Sequence, residues 1–270
     1  MSNWPKFVLL WTDASIWLLV AALVAYVVMV LRKPQLAANW GRVFRDAPAL
    51  ASSLVLLLCL GVTLLDSVHY RARLPAAEGA VNAAPAYEAR TRSLLDDLLA
   101  DLVDARESTY SRPLSYLGFT KESLLVNGEV QRVAPRLQFG GAHLKDPSAL
   151  WLPDIAARGG TGLLWGGLAA LLLGALGVAA VARASRQPVG VTWGRIWRRQ
   201  TAVPWHVALQ TLVVICLIAG PAAALSGPYH LLGTDLTGND VLYQSLKSIR
   251  TAFVIGTLAT VATLPLAVVL

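Results

Sequence analysis

The residues of this sequence that could take part in chemistry are few and scattered. Its four histidines lie far apart along the chain, and its two cysteines, Cys59 and Cys216, lie in apolar stretches. Hydrolysis or metal chemistry needs a nucleophile beside a base, or several ligands at short spacing. The sequence has no phosphate-binding Walker lysine motif, no His-x-x-x-His pair and no Gly-x-Ser-x-Gly motif. We therefore expect a protein that is not an enzyme and that holds no cofactor or catalytic metal.

One segment, residues 230–250, is unusually rich in residues that form turns and cap helices. Gly233 and Gly238 permit tight turns, Asp235 can accept hydrogen bonds from nearby amides, and Asp240 can cap the helix that follows. After Asp240 the apolar residues recur along one side, which predicts a short amphipathic helix at a membrane interface. The pattern favours a re-entering turn, although a simple connector between two helices would explain the same glycines and caps.

Long apolar stretches around this segment indicate the class of the protein. The 270 residues are 56% hydrophobic and 14% charged, whereas an average soluble domain has about 25% charged residues. Apolar, charge-free stretches of about 18 residues or more are candidate transmembrane helices, because a helix satisfies its own backbone hydrogen bonds in lipid. We predict an all-α integral membrane protein with about five transmembrane helices, at residues 14–31, 47–65, 159–182, 203–225 and 251–270.

The distribution of basic residues predicts the orientation of these helices. Residues 32–46 hold four basic residues and one acidic residue, and residues 183–199 hold five arginines and no acidic residue. Short basic loops stay in the cytoplasm, so we place the amino terminus and residues 66–158 outside. The net charge of +7 is then a topology signal of a multi-pass protein of the bacterial inner membrane, and we expect no nucleic-acid partner.

Residues 66–158 are predicted to form a small extracytoplasmic α+β insert. Residues 75–85 have a linker composition, and Asn127-Gly128 between apolar runs predicts a two-residue hairpin. The spacing of apolar residues over residues 88–107 predicts one amphipathic helix. Its apolar face would form either the core of the insert or a peptide-binding groove. The leucines of that face are Leu94, Leu95, Leu98, Leu99 and Leu102.

The third predicted transmembrane helix is rich in glycine. Small residues four apart let helix backbones approach closely in lipid. This predicts a helix packed against a neighbour that the sequence does not identify. The glycines concerned are Gly162, Gly166, Gly167, Gly174 and Gly177.

The segment 230–250 closely resembles a signature of the dipeptide, oligopeptide and nickel ABC-importer permeases, specifically their C-type subunit. Leu231, Asn239 and Ser248 depart from the family's proline, arginine and glycine. The resemblance covers residues 193–270 and is specific only in its central ten residues. The matching positions are His230, Leu232, Gly233, Thr234, Asp235, Gly238, Asp240, Val241, Leu242 and Arg250.

This resemblance implies a permease subunit that carries peptides or a related small solute across the membrane. The implied partners are a second permease subunit, two ATP-binding subunits and an extracytoplasmic solute-binding protein, besides the lipid bilayer. The implied organisation is an amino-terminal two-helix segment, the insert, a third helix with its cytoplasmic loop, and the start of a permease core that we expect to continue further. These regions span residues 1–65, 66–158, 159–192 and 193–270.

The signature residues are predicted to act in gating or partner docking at the outer mouth of the transport path. They are His230, Gly233, Thr234, Asp235, Gly238, Asp240 and Arg250. The alternative function is a membrane sensor or scaffold whose insert binds a ligand or partner. The two cytoplasmic loops are too short for a signalling domain, and this alternative leaves the signature unexplained.

Overall fold

The computed structural model of the chain describes residues 5–74, 86–126 and 129–269, and it is mostly helical, at 64%. Four described helices are long and apolar enough to cross a membrane, namely α1 (Trp11–Arg32), α3 (Ala47–Asp66), α6 (Pro147–Ala184) and α8 (Trp205–Ser226). The other helices are α2 (Pro34–Val43), α4 (Leu94–Leu98), α5 (Ala100–Asp104), α7 (Val189–Trp197) and α9 (Val241–Val269). The strands are β1 (Lys6–Val8), β2 (His69–Arg71), β3 (Arg92–Ser93), β4 (Glu122–Val126) and β5 (Glu129–Val133).

The first four predicted membrane spans correspond to these four long helices. Three of them match the predicted bounds within a few residues, whereas α6 has 38 residues and begins at Pro147, well before the predicted start. A bilayer core of about 30 Å needs only about 20 helical residues, so α6 is long enough to extend beyond it. Residues 251–269 of the fifth predicted span lie within the 29-residue α9, and the passage of this segment through a membrane stays a prediction.

The chain divides into two compact units. The first comprises residues 1–34, 57–100 and 245–270, and the second comprises residues 35–56 and 101–244. In the first unit, β1, β2 and β3 form an antiparallel sheet in that order, with Phe7 opposite Tyr70 and His69 opposite Ser93. In the second unit, β4 and β5 form an antiparallel hairpin. The predicted domain boundaries, and a single α+β insert at residues 66–158, stay predictions.

The glycine-rich helix α6 packs against α8 within the second unit, which confirms a packed third helix. A Cβ atom at Gly162 would lie 2.6 Å from the Cα atom of Pro221, and one at Gly166 would overlap the carbonyl oxygen of Cys216. From the α8 side, a Cβ atom at Gly220 would overlap the carbonyl oxygen of Gly162 and would lie 2.9 Å from the Cα atom of Gly166. By contrast, Gly167 and Gly177 face open space, so the close backbone contact uses one face of α6 only.

A small core joins the ends of these two helices to the loop that precedes α6. Leu144, Leu225 and Tyr229 are buried together. The indole of Trp151 packs against them and donates a hydrogen bond of 2.8 Å to the carbonyl of Leu114. This core fixes the end of α8 and therefore the start of the segment at 230–240.

The prediction of one amphipathic helix over residues 88–107 is wrong. Ser93 caps α4 by accepting a hydrogen bond from the Asp96 amide, and Leu99 leaves the helical region with φ −109° and ψ 25°. The chain therefore forms two five-residue helices, α4 and α5. Leu95 is buried, but Leu98 is 71% exposed, so the leucines do not share one buried face.

The predicted hairpin is confirmed by β4 and β5, which pair with Val126 opposite Glu129. Its Asn127-Gly128 loop lies outside the described residues, and so does the predicted linker at residues 75–85.

Candidate functional site: the turn between α8 and α9

Residues 230–240 form a compact turn whose shape depends on two glycines. Gly233 and Gly238 have φ values of +78° and +79°, which residues with a side chain rarely adopt. The amide of Asp235 donates to the carbonyl of Asn239 at 3.0 Å, and the amide of Val241 donates to the carbonyl of Gly233 at 3.1 Å. The predicted role of the two glycines as turn formers is the role that they have in the structure.

Asp235 stabilises the middle of this turn. Its carboxylate accepts hydrogen bonds from the amides of Thr237 and Asn239, at 2.9 and 2.8 Å, and from the Gln244 side chain at 2.5 Å. Partial burial opposes ionisation, but the hydrogen bonds from Gln244, Asn239 and Thr237 outweigh it and lower the pKa of Asp235 to about 2. Asp235 is therefore a fixed anion at neutral pH.

Asp240 caps α9, as its position in the sequence predicts. One carboxylate oxygen accepts hydrogen bonds from the amides of Leu242 and Tyr243, at 2.8 and 3.1 Å. The other oxygen lies 2.8 Å from Nδ1 of His230. Asp240 and His230 are both buried, so the cap also joins the two ends of the turn.

The third member of this cluster is Glu107, which is not among the predicted site residues. Oε1 of Glu107 lies 3.3 Å from Nε2 of His230. The Glu107 carboxylate also accepts hydrogen bonds from the backbone amides of Gln138, Phe139 and Gly140, at 2.8, 2.8 and 3.0 Å. We call Glu107, His230 and Asp240 the turn cluster. Glu107 and His230 are 123 residues apart, and no local pattern in the sequence predicts their contact.

Hydrogen bonding fixes the charges of the turn cluster. Burial opposes protonation of His230, but hydrogen bonds to Asp240 and Glu107 outweigh it and raise its pKa to about 9. Burial likewise opposes ionisation of Glu107, yet bonds from His230 and from the backbone amides lower its pKa to about 2. A protonated imidazole donates from both ring nitrogens, so at neutral pH His230 is a cation held between two carboxylates.

The turn docks on residues 106–114 of the same compact unit. The amide of Thr234 donates to Oγ of Ser111 at 3.1 Å, and the amide of Glu107 donates to the carbonyl of Gly238 at 2.9 Å. A Cβ atom at Gly233 would overlap the carbonyl of Ser111, and one at Gly238 would overlap the carbonyl of Glu107. Glycine is thus required at both positions for two reasons. Its backbone adopts the positive φ, and it leaves room for the close approach of residues 107 and 111.

Arg250 is not part of this assembly and belongs to the other compact unit. Its guanidinium pairs with Asp13 and lies 3.5 Å from Asp66. Lys247, on the same helix, pairs with Asp96 at 2.6 Å. We call Asp13, Asp66, Asp96, Lys247 and Arg250 the ion-pair cluster.

His69 and Ser93 complete the surroundings of the ion-pair cluster. Nδ1 of His69 lies 2.9 Å from Asp13, and the hydroxyl of Ser93 donates to Asp66 at 2.8 Å. The sequence offers one signal for this cluster, which is that Asp13 and Asp66 are acidic residues at the ends of long apolar helices.

The turn cluster is suited to holding a conformation rather than to catalysis. Both ring nitrogens of His230 are engaged by carboxylates, so the ring has no free nitrogen to act as a base. Among the described residues, no group of three or more histidine, cysteine, aspartate or glutamate side chains is arranged to hold a metal ion.

No protein-family model, curated protein or solved structure matches this chain. The resemblance of residues 193–270 to peptide-type permeases therefore stays a prediction from the signature alone.

Proposed function

We propose that this chain is a permease subunit of a binding-protein-dependent ABC importer and forms part of a transmembrane path for peptides or a related small solute. The observation that carries the proposal is the match of ten positions in the segment 230–250 to the signature of the C-type subunits. Four of the described helices are long and apolar enough to cross a membrane, which accords with it.

The geometry of the turn gives four of the signature residues a defined structural role. Gly233 and Gly238 need positive φ and close backbone contact. His230 and Asp240 form a buried ion pair, and Asp240 caps α9. The residue types at four matching positions are thus restricted by the structure. This restriction supports a defined structural role for the segment rather than that of a simple connector.

In the proposed transporter, this chain performs no bond chemistry. Two ATP-binding subunits would drive the conformational change, a second permease subunit would complete the path, and an extracytoplasmic solute-binding protein would deliver the solute. The turn would lie at the outer mouth, where its fixed shape suits gating or docking. Peptides are the favoured cargo on the family resemblance.

The proposed location is the bacterial inner membrane, with the amino terminus and residues 66–158 outside and residues 32–46 and 183–199 inside. Single-cysteine labelling of intact cells with an impermeant reagent tests it, after replacement of Cys59 and Cys216. We expect a cysteine at exposed Glu122 to be labelled and one at exposed Ser185 to be protected. The reverse result would overturn this orientation.

The composition of the native complex tests the transport function. The protein carries an affinity tag and is expressed from its native chromosomal locus. Intact membranes are cross-linked, and the complex is then purified in mild detergent. We expect one further permease subunit and ATP-binding subunits in fixed ratio, with ATPase activity in the purified complex. A complex with a kinase or cyclase and without ATPase activity would instead support the sensor or scaffold function.

A further inference from the structure

An apolar groove of about 1020 Å³ lies among α6, α7 and α8 of the second unit. This volume is at the upper end of the range of about 300–1000 Å³ that is typical of small-molecule sites. Gln210 is the only lining residue with an amide side chain, and none of the lining residues is charged. Two tryptophans of α7, Trp193 and Trp197, line it and meet edge to face, with ring centroids 5.6 Å apart.

The groove lies next to a strongly basic segment. Residues 183–199 contain five arginines and no acidic residue. Four of them, Arg183, Arg186, Arg198 and Arg199, are exposed, and no carboxylate of the described residues lies within ion-pair distance of them. Because α7 supplies part of the groove wall and lies between these arginines in sequence, an apolar site and an uncompensated positive charge meet here.

Two of these arginines occupy backbone positions that favour glycine. Arg186 and Arg199 have φ values of 52° and 56°, and each directly follows the C-cap residue of a helix, Ser185 after α6 and Arg198 after α7. The following amides close the helix ends, with Gln187 donating to the carbonyl of Ala182 at 3.0 Å and Gln200 donating to the carbonyl of Arg195 at 2.9 Å. Glycine is the usual residue at this position of such a cap, so the fold alone does not call for arginine at either end of α7.

We propose that this region is a binding site for an anionic phospholipid. Its acyl chain lies in the groove among α6, α7 and α8, and its phosphate is held by the arginines that flank α7. Two of the helices that line the groove, α6 and α8, are long and apolar enough to span a bilayer. In a bilayer, lipid acyl chains surround such helices. Tryptophans favour the headgroup level of a membrane, and basic pockets between such helices are suited to anionic headgroups. This inference does not depend on the transport function.

Native mass spectrometry of the purified full-length chain tests the proposal. The protein is released from nanodiscs that contain equal amounts of phosphatidylglycerol and phosphatidylcholine with identical acyl chains. We expect phosphatidylglycerol to be retained preferentially. Equal retention of the two lipids would overturn the proposal, and so would a second protein chain seated on the groove in place of lipid.

Arg186→Gly and Arg199→Gly separate lipid binding from folding. Each replacement relaxes a positive φ, so the unfolding temperature should stay unchanged or rise, whereas the preference for phosphatidylglycerol should fall by about fivefold for each arginine removed. If both variants keep the wild-type lipid preference, the headgroup does not bind here and the proposal fails.

The acyl-chain part of the site is tested by filling the groove. Gly190 lines the groove and Gly194 does not, and a Cβ atom at either position meets nothing within 4 Å. Gly190→Leu should therefore reduce retention of the anionic lipid, and the control Gly194→Leu should not. Gly174→Leu and Gly177→Leu form a second pair on α6, since Gly174 lines the groove and Gly177 does not. A Cβ atom at Gly174 would lie at an ordinary contact distance of 3.8 Å from Cδ2 of Leu209, and one at Gly177 meets nothing within 4 Å. Equal lipid retention within both pairs would overturn the assignment of the groove.

Discussion

The turn cluster and the ion-pair cluster both bury carboxylates, but they stabilise them in different ways. In the turn cluster, the backbone supplies most of the donors, because Glu107 accepts from three amides and Asp240 from two. In the ion-pair cluster, the side chains of Lys247 and Arg250 supply the positive charge for three buried aspartates. Asp13 and Asp96 each accept from a backbone amide as well, but the positive charge beside them comes from side chains. The first arrangement therefore fixes the path of the chain, whereas the second relies on side-chain cations.

The two compact units should therefore have different weak points. The turn cluster should be most sensitive to changes that alter the backbone, and the ion-pair cluster to the loss of a single cation. A buried charge left without its partner costs about 3–5 kcal/mol, whereas an added atom in a closed backbone contact forces the chain itself to move.

The largest effect is expected from Gly238→Val. The new side chain would overlap the carbonyl of Glu107 and would require a branched residue at φ +79°, at a combined cost of about 4 kcal/mol or more. The control Gly227→Ala adds a Cβ atom in open space and should change little. Thermal unfolding in detergent measures both, and equal stabilities would contradict the close docking of the turn.

Next in size is the loss of Arg250. Arg250→Met leaves Asp13 and Asp66 buried without their guanidinium partner, and we expect a loss of about 3–5 kcal/mol. Arg158→Met is the control, because its partly exposed pair with Asp154 should contribute about 1 kcal/mol or less. A chemical denaturation series compares them, and a loss of about 1 kcal/mol or less for Arg250→Met would show that the ion-pair cluster does not stabilise its unit.

A smaller, pH-dependent effect is expected from the turn cluster. The folded-state pKa of His230 is raised to about 9 from an ordinary 6.5, so its contribution is complete below about pH 6.5 and is lost as the pH rises through 9. The lowered pKa of Glu107, about 2, makes its contribution complete above about pH 4.5 and lost as the pH falls through 2. His230→Gln should remove the alkaline loss of stability, and His143→Gln should retain it. Unfolding curves from pH 6 to pH 10 would contradict the assignment if His230→Gln kept the wild-type slope.

The smallest effect is expected from Leu98→Asp. Because Leu98 is 71% exposed, the substitution should change the free energy of unfolding by about 0.5 kcal/mol or less. Leu95 is 3% exposed, and Leu95→Ala should cost about 2–5 kcal/mol. If Leu98→Asp lowered the free energy of unfolding more than Leu95→Ala, the result would support the single amphipathic helix that the sequence predicts.

Parts of the fold that depend on nearby residues were predictable from the sequence. Hydropathy identified the long helices, and the types of Gly233, Gly238 and Asp240 identified a turn and a cap. The break at Leu99 was missed because leucine spacing continues through it, while the Ser93 cap and the pairing of β3 decide where α4 begins. Neither the contact of Glu107 with His230 nor that of Arg250 with Asp13, at separations of 123 and 237 residues, leaves a periodic signal in the sequence.

The most direct test of the proposed function measures how a solute-binding protein stimulates ATP hydrolysis by the purified complex. Leu236, at the tip of the turn, is 66% exposed, and Val130, on the β4–β5 hairpin, is 70% exposed. Leu236→Asp should leave complex assembly intact but reduce this stimulation by about tenfold, because a docking surface loses an apolar contact, while Val130→Asp should leave it unchanged. Full stimulation of the Leu236→Asp complex, or no stimulation of the wild-type complex by any such protein, would contradict the role of the turn in a binding-protein-dependent importer.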